Sequence, residues 1–167
     1  MRNSSDLQTE IRLAYEYLED KGYVLGPLGK ISVLLEDDTV LEYSVKDGFV
    51  STKIEKAEAF ASRKDVGFVI NMHSPYTLAL SVLNEPLPCI TTQMASIIGG
   101  GVSYTYSSDV NAILLKNRGA YCYGNTLEEA VLCCKVLESA AMVYITLSSF
   151  GSANELTEKE ISKYRMP

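Results

Sequence analysis

The run Val66-Gly67-Phe68-Val69-Ile70 constrains the fold more than any other stretch of this chain. It is apolar throughout and too short for an ordinary helix, the pattern of a central strand covered on both sides. An α/β domain is the class that supplies such cover. The strand runs into Asn71-Met72-His73-Ser74, where Ser74 is placed to cap a helix that Pro75 opens at its first position and that extends to about Leu83. Open α/β sheets place ligands at the carboxyl ends of strands, so this corner is where a site is sought first.

The flanking sequence reads as alternating elements. Leu7, Ile11, Ala14, Tyr15 and Leu18 repeat at helical spacing and predict a helix over 5–21, with Ser5 and Gln8 as a capping box and Gly22 as the stop. Residues 31–35 and 39–43 flank Glu36-Asp37-Asp38 and predict a β-hairpin. After a turn at Lys46-Asp47-Gly48, the spacing of Ile54, Ala57, Phe60 and Ala61 predicts a helix over 53–64. Further on, a short helix over 91–98 ends at Gly99-Gly100-Gly101, and strands are expected over 102–106, 111–116 and 120–123. A long helix is expected over 126–147, with Leu127, Ala130, Val131, Cys134, Leu137, Ala141 and Tyr144 on its buried face. Thr157 with Glu160 caps a last helix over 157–164. Tyr104, Tyr106, Tyr121 and Tyr123 alternate along two of these strands and read as sheet-surface packing.

Composition narrows the partners. The 167 residues suit one domain, and a net charge of -6 with scattered basic residues argues against a nucleic-acid backbone as partner. No basic start followed by an apolar core marks a secretory signal, and no membrane-spanning run is expected, so a cytoplasmic location is the expectation. Cys89, Cys122, Cys133 and Cys134 then read as reduced, buried thiols, and the absence of a CxxC pair gives no zinc spacing.

Three stretches together resemble the class II aldolase/adducin family. Residues 65–76 with 83–88, reading Asp65-Val66-Gly67-Phe68-Val69-Ile70-Asn71-Met72-His73-Ser74-Pro75-Tyr76 and Leu83-Asn84-Glu85-Pro86-Leu87-Pro88, are similar to its strand ending in His-x-His-Ser-Pro and the helix closing on a Leu-Pro turn. Leu114-Leu115-Lys116-Asn117-Arg118-Gly119, followed by 124–130, is similar to its Asn-His-Gly turn and the helix after it. Residues 26–32 resemble its Gly-Asn-Ile-Ser phosphate loop, with Lys30 in the Asn position. The resemblance implies a three-layer α/β/α sandwich around a mostly antiparallel sheet, and a homo-oligomer, commonly a cyclic tetramer with sites at subunit boundaries.

Enzymes of that family hold a divalent metal, zinc, through three histidines and use an upstream glutamate as general acid/base. The metal acts as a Lewis acid on the ketose oxygens. Carried over, the three ligand positions are Asn71, His73 and Arg118, so the metal set is degenerate and no bound metal is expected. A guanidinium keeps its proton, and at ~4 Å it repels a dication by several kcal/mol even at an effective dielectric near 20. Counted without gaps the glutamate position falls on Thr52; a gap would place Glu55 there as the catalytic group. Gly29 and Lys30 are either an ordinary turn or a residual anion contact. His73 is either a hydrogen-bonded imidazole at a strand end or a surviving acid/base, and Arg118 either pairs with a carboxylate or holds an anion. Asn71 and Ser74 complete the candidate ligand-binding set.

The expected function is a family member without metal-dependent aldol cleavage, retained as a small-anion-binding or oligomeric domain. The alternative is a metal-free lyase or epimerase acting on a sugar phosphate, with His73 as proton carrier and Arg118 as anion holder. The expected partners are copies of the same chain and a small phosphorylated or carboxylated metabolite, with neither nucleic acid nor membrane.

Overall fold

A computed structural model describes residues 4–53, 60, 63 and 65–165. Six strands form one sheet in the order β3-β2-β1-β4-β6-β5. They are β1 Lys30–Leu34, β2 Thr39–Ser44, β3 Gly48–Lys53, β4 Phe68–Met72, β5 Ala112–Leu115 and β6 Gly119–Gly124. All five pairings are antiparallel. Among the described residues the α-helices are α1 Ser4–Asp20, α2 Pro75–Leu83, α3 Leu127–Ser148 and α4 Glu158–Tyr164. Gly26–Leu28 is a 3-10 turn, and in the helix expected over 91–98 Met94–Ile98 is π-helical and ends at Gly99.

The apolar run is the central strand its pattern predicts, and β4 pairs β1 on one side and β6 on the other. It begins at Phe68 and continues to Met72, so Asn71 lies within the strand. Successive side chains point to opposite faces. Phe68, Ile70 and Met72 enter the main core with Ile11, Tyr15 and Leu18 of α1, Leu80 of α2 and Leu137 of α3. Val69 enters a smaller cluster on the other face with Val40, Phe60, Val66 and Tyr123.

The helix ends follow local chemistry. Thr126 and Thr157 each accept from the backbone N–H three residues on, and Glu129 and Glu160 reach back to complete both capping boxes. Gly22, at φ +70°, lies just beyond α1. Ser5 already lies inside α1, which begins at Ser4, so it is not the cap. By length and mean hydropathy, 1.7, α3 alone among the described residues would qualify to cross a membrane, contrary to the expectation that no segment would. One face of it joins the core, where Leu127, Ala130, Cys133, Cys134, Leu137, Ala140 and Ala141 are buried.

Two elements differ from expectation. Residues 48–53 form β3, because Ser44 and Gly48 close a short turn in which Gly48 takes φ +67° and Ser44 Oγ accepts from the Asp47 N–H. Residues 102–106 do not form a ladder: Val102 makes a single bridge to Leu87, and the Ser103 hydroxyl accepts from the Thr105 N–H, a local bond that competes with strand pairing. Tyr104 and Tyr106 therefore do not alternate along a strand, and the Tyr104 hydroxyl donates to the Leu80 carbonyl at 2.7 Å. Most of the helix expected over 53–64 lies outside the described residues; Phe60 and Arg63 within it are buried.

Candidate functional site

Three elements meet at one corner: the end of β4, the β5–β6 turn and the start of α2. Asn71 is the register partner of Lys30 on β1 and of Tyr121 on β6, which places the three side chains in one row on the face opposite the helices. His73 follows two residues later, its N–H bonded to the Tyr23 carbonyl at 2.8 Å. The β5–β6 turn holds Arg118 next to Gly119, whose φ is +91°. A Cβ on Gly119 would overlap the Met72 carbonyl oxygen and stand 3.3 Å from His73 Cα, so the turn is pressed against the end of β4. Ser81 of α2 fastens the same turn: its carbonyl accepts from Asn117 N–H at 3.0 Å and its hydroxyl from Gly119 N–H at 3.1 Å.

Asn71, His73 and Arg118 are thus brought together, and their polar valences are open. Asn71 Oδ1 and His73 Nδ1 are sealed from solvent with no hydrogen-bond partner among the described residues. Such orphans cost free energy and call for an explanation. Arg118 is exposed, and among the described residues no hydrogen bond or ion pair engages its guanidinium.

Burial, and after it the charge of Arg118, push His73 below its ordinary value of 6.5. The imidazole is therefore neutral near pH 7. A pKa lower in the folded than in the unfolded chain makes the contribution of His73 to stability complete above about pH 6.5 and lost as pH falls below it. Histidine NMR titration is expected to show a folded pKa under 6.5, and Arg118→Gln to raise it only part of the way back, because burial is the larger cause.

The other candidate anion contacts are spent internally. Lys30 Nζ sits 3.0 Å from Glu42 Oε2, and Ser32 Oγ donates to the other oxygen of that carboxylate at 3.2 Å. The Gly29 N–H donates to the Gly26 carbonyl at 3.2 Å, and the Tyr15 hydroxyl donates to the Gly26 and Gly29 carbonyls. Gly29 is glycine for packing: a Cβ there would lie 2.5 Å from Val24 Cβ and 2.9 Å from Tyr15 Oη.

Ser74 is the N-cap residue of α2, but its hydroxyl makes no cap bond. It donates instead to Glu138 Oε2 of α3 at 2.5 Å. The same carboxylate accepts from the Tyr76 N–H at 3.0 Å, the Thr77 N–H at 2.9 Å and the Thr77 hydroxyl at 2.8 Å. Glu138 therefore caps α2 from another helix, a role that sequence reasoning missed because no local spacing links residues 74 and 138. Arg63 was missed for the same reason. It is 4 % exposed, pairs with both oxygens of Asp65, donates to the Val110 carbonyl and Asn111 Oδ1, and its guanidinium lies 5.4 Å from the Tyr123 ring centroid.

The register removes Thr52 from the corner. It pairs with Val40, which pairs with Leu34, at the far end of β1 from Lys30 and three strands from β4. Strand spacing and rise put it roughly 20 Å from Asn71, too far for a shared proton. Glu55 lies outside the described residues.

A sequence profile of the Class II Aldolase and Adducin N-terminal domain matches residues 57–110. The L-fuculose phosphate aldolase of Methanocaldococcus jannaschii is 27 % identical, over 73 % of this chain and 77 % of that protein. These matches support membership of the class II aldolase family. The fold agrees. An L-fuculose 1-phosphate aldolase structure superimposes with a TM-score of 0.80 at 21 % identity, over 97 % of this chain and 95 % of the other. YgbL of Klebsiella pneumoniae gives 0.77 at 22 %, over 99 % and 100 %.

Proposed function

We propose that this class II aldolase-type domain binds a small anion at the corner formed by Asn71, His73 and Arg118 and does not perform metal-dependent aldol cleavage. One observation carries the reading: a permanent cation with no partner among the described residues stands where the family resemblance implies a third imidazole. The residues present do not fit zinc, since they offer one nitrogen donor, one weak amide oxygen and a group that cannot donate a lone pair. The same guanidinium is a planar fork of donors suited to a carboxylate or phosphate.

The exposed apolar end of α3, where Met142, Val143 and Leu147 are more than a third exposed and Phe150 lies just beyond it at 84 %, supports the self-association that the family resemblance implies. Metal analysis of the purified protein, with a zinc titration in the presence of fuculose phosphate, tests the reading. The expected result is zinc far below one equivalent per chain and no cleavage at any zinc concentration. One tightly held equivalent together with turnover defeats it.

A further inference from the structure

We propose that the anion taken at this corner is a carboxylate bearing a hydroxyl on the adjacent carbon, held through its carboxylate by Arg118 and through its hydroxyl by Asn71 and His73, and not a phosphate ester. This rests on the corner being an anion site and goes further by naming the class of anion.

Charge decides between carboxylate and phosphate. A phosphate ester near neutral pH carries close to two negative charges and is usually met by several donors or cations. Here three of the devices that could meet it are consumed: Lys30 by Glu42, the Gly29 N–H by the Gly26 carbonyl, and the first amides of α2 by Glu138. Glu138 also places a carboxylate on Ser74, the residue after His73. Among the described residues Arg118 is the unpaired cation set directly beside Gly119, whose turn presses on the end of β4. It balances a monoanion; with Glu42 neutralised by Lys30, the second charge of a dianion would go uncompensated and face the Glu138 carboxylate.

The orphaned atoms decide for the hydroxyl. Asn71 Oδ1 and His73 Nδ1 lack partners, and neither side chain makes a hydrogen bond among the described residues. The amide and the ring therefore rotate toward a ligand without breaking any protein bond. A hydroxyl can donate to the amide oxygen or the neutral imidazole and accept from the amide nitrogen, whereas a methylene leaves both groups unpaired. Sites built around unpaired polar groups reject analogues that lack the matching hydroxyl.

Calorimetric titration of the whole chain with glycerate, propionate, glycerol 3-phosphate and inorganic phosphate tests this. Glycerate is expected to bind at least tenfold more tightly than the other three. Arg118→Gln is expected to abolish that binding and Arg118→Lys to weaken it, because a lysine keeps the charge and loses the fork. Arg118 is exposed, so both variants should fold, which circular dichroism verifies. Propionate binding as tightly as glycerate overturns the assignment. So does tighter binding of either phosphate compound, although if that binding vanishes in Arg118→Gln the corner remains an anion site. Glycerate binding undiminished in Arg118→Gln, or no binding by any of the four, overturns the assignment and the anion reading together.

Discussion

Replacing Glu138 by Ala is expected to lower the stability of the fold by about 3 kcal/mol, since it removes a charged helix cap and leaves buried polar groups without partners. The four hydrogen bonds that end on this carboxylate come from Ser74, Tyr76 and both donors of Thr77. Ser74 and Thr77 are fully buried, so water cannot take over. For a chain of this length the loss corresponds to a fall in melting temperature of about 6–12 °C. Glu138→Gln should cost roughly half as much, because one amide oxygen still accepts where the nitrogen cannot. Thermal and urea unfolding of the two variants measure the difference. A fall of less than about 1 kcal/mol for Glu138→Ala would show that another group caps α2.

Gly119→Ala is expected to be at least as damaging, at about 4 kcal/mol, from a left-handed backbone combined with a hard overlap. The overlap is with the Met72 carbonyl oxygen, which belongs to the strand and cannot step aside. Gly48→Ala is the control: Gly48 also has positive φ, +67°, but a Cβ there meets nothing within 4 Å. That change should cost roughly 1 kcal/mol, the backbone part alone. Denaturant midpoints for the pair separate the two contributions, and equal losses would mean that the β5–β6 turn does not press against β4.

Much of the architecture is legible in the sequence because the forces that write it are local. The apolar run of β4 fixes a strand with two covered faces, and Thr126 and Thr157 fix two helix starts through partners three residues away. The candidate corner is legible through the motif residues, since Asn71, His73 and Arg118 stand in stretches that resemble the family's ligand-bearing segments. What could not be read is whatever depends on pairs distant in sequence. Lys30 shows its charge in the sequence but not the Glu42 that neutralises it, because their meeting depends on the β1–β2 register. Thr52 counts into the glutamate position along the chain, and only the sheet order shows it three strands away. The strand over 48–53 is hidden by a different conflict: the helical spacing from Ile54 onward makes Gly48 look like the end of a turn leading to a helix, whereas it is the turn residue of a second hairpin.

The position of β4 also governs how the molecule comes together. Strands β1, β2 and β3 are joined by short turns, as are β5 and β6, and such neighbours in sequence can pair early at little entropic cost. β4 unites the two groups through partners far away along the chain, Lys30 on one side and Tyr121 on the other. The same insertion that completes the sheet brings Asn71 and His73 beside Arg118. A chain with only its meander and hairpin formed has not brought Asn71 and His73 beside Arg118, so assembly of the candidate corner and completion of the native topology are one event.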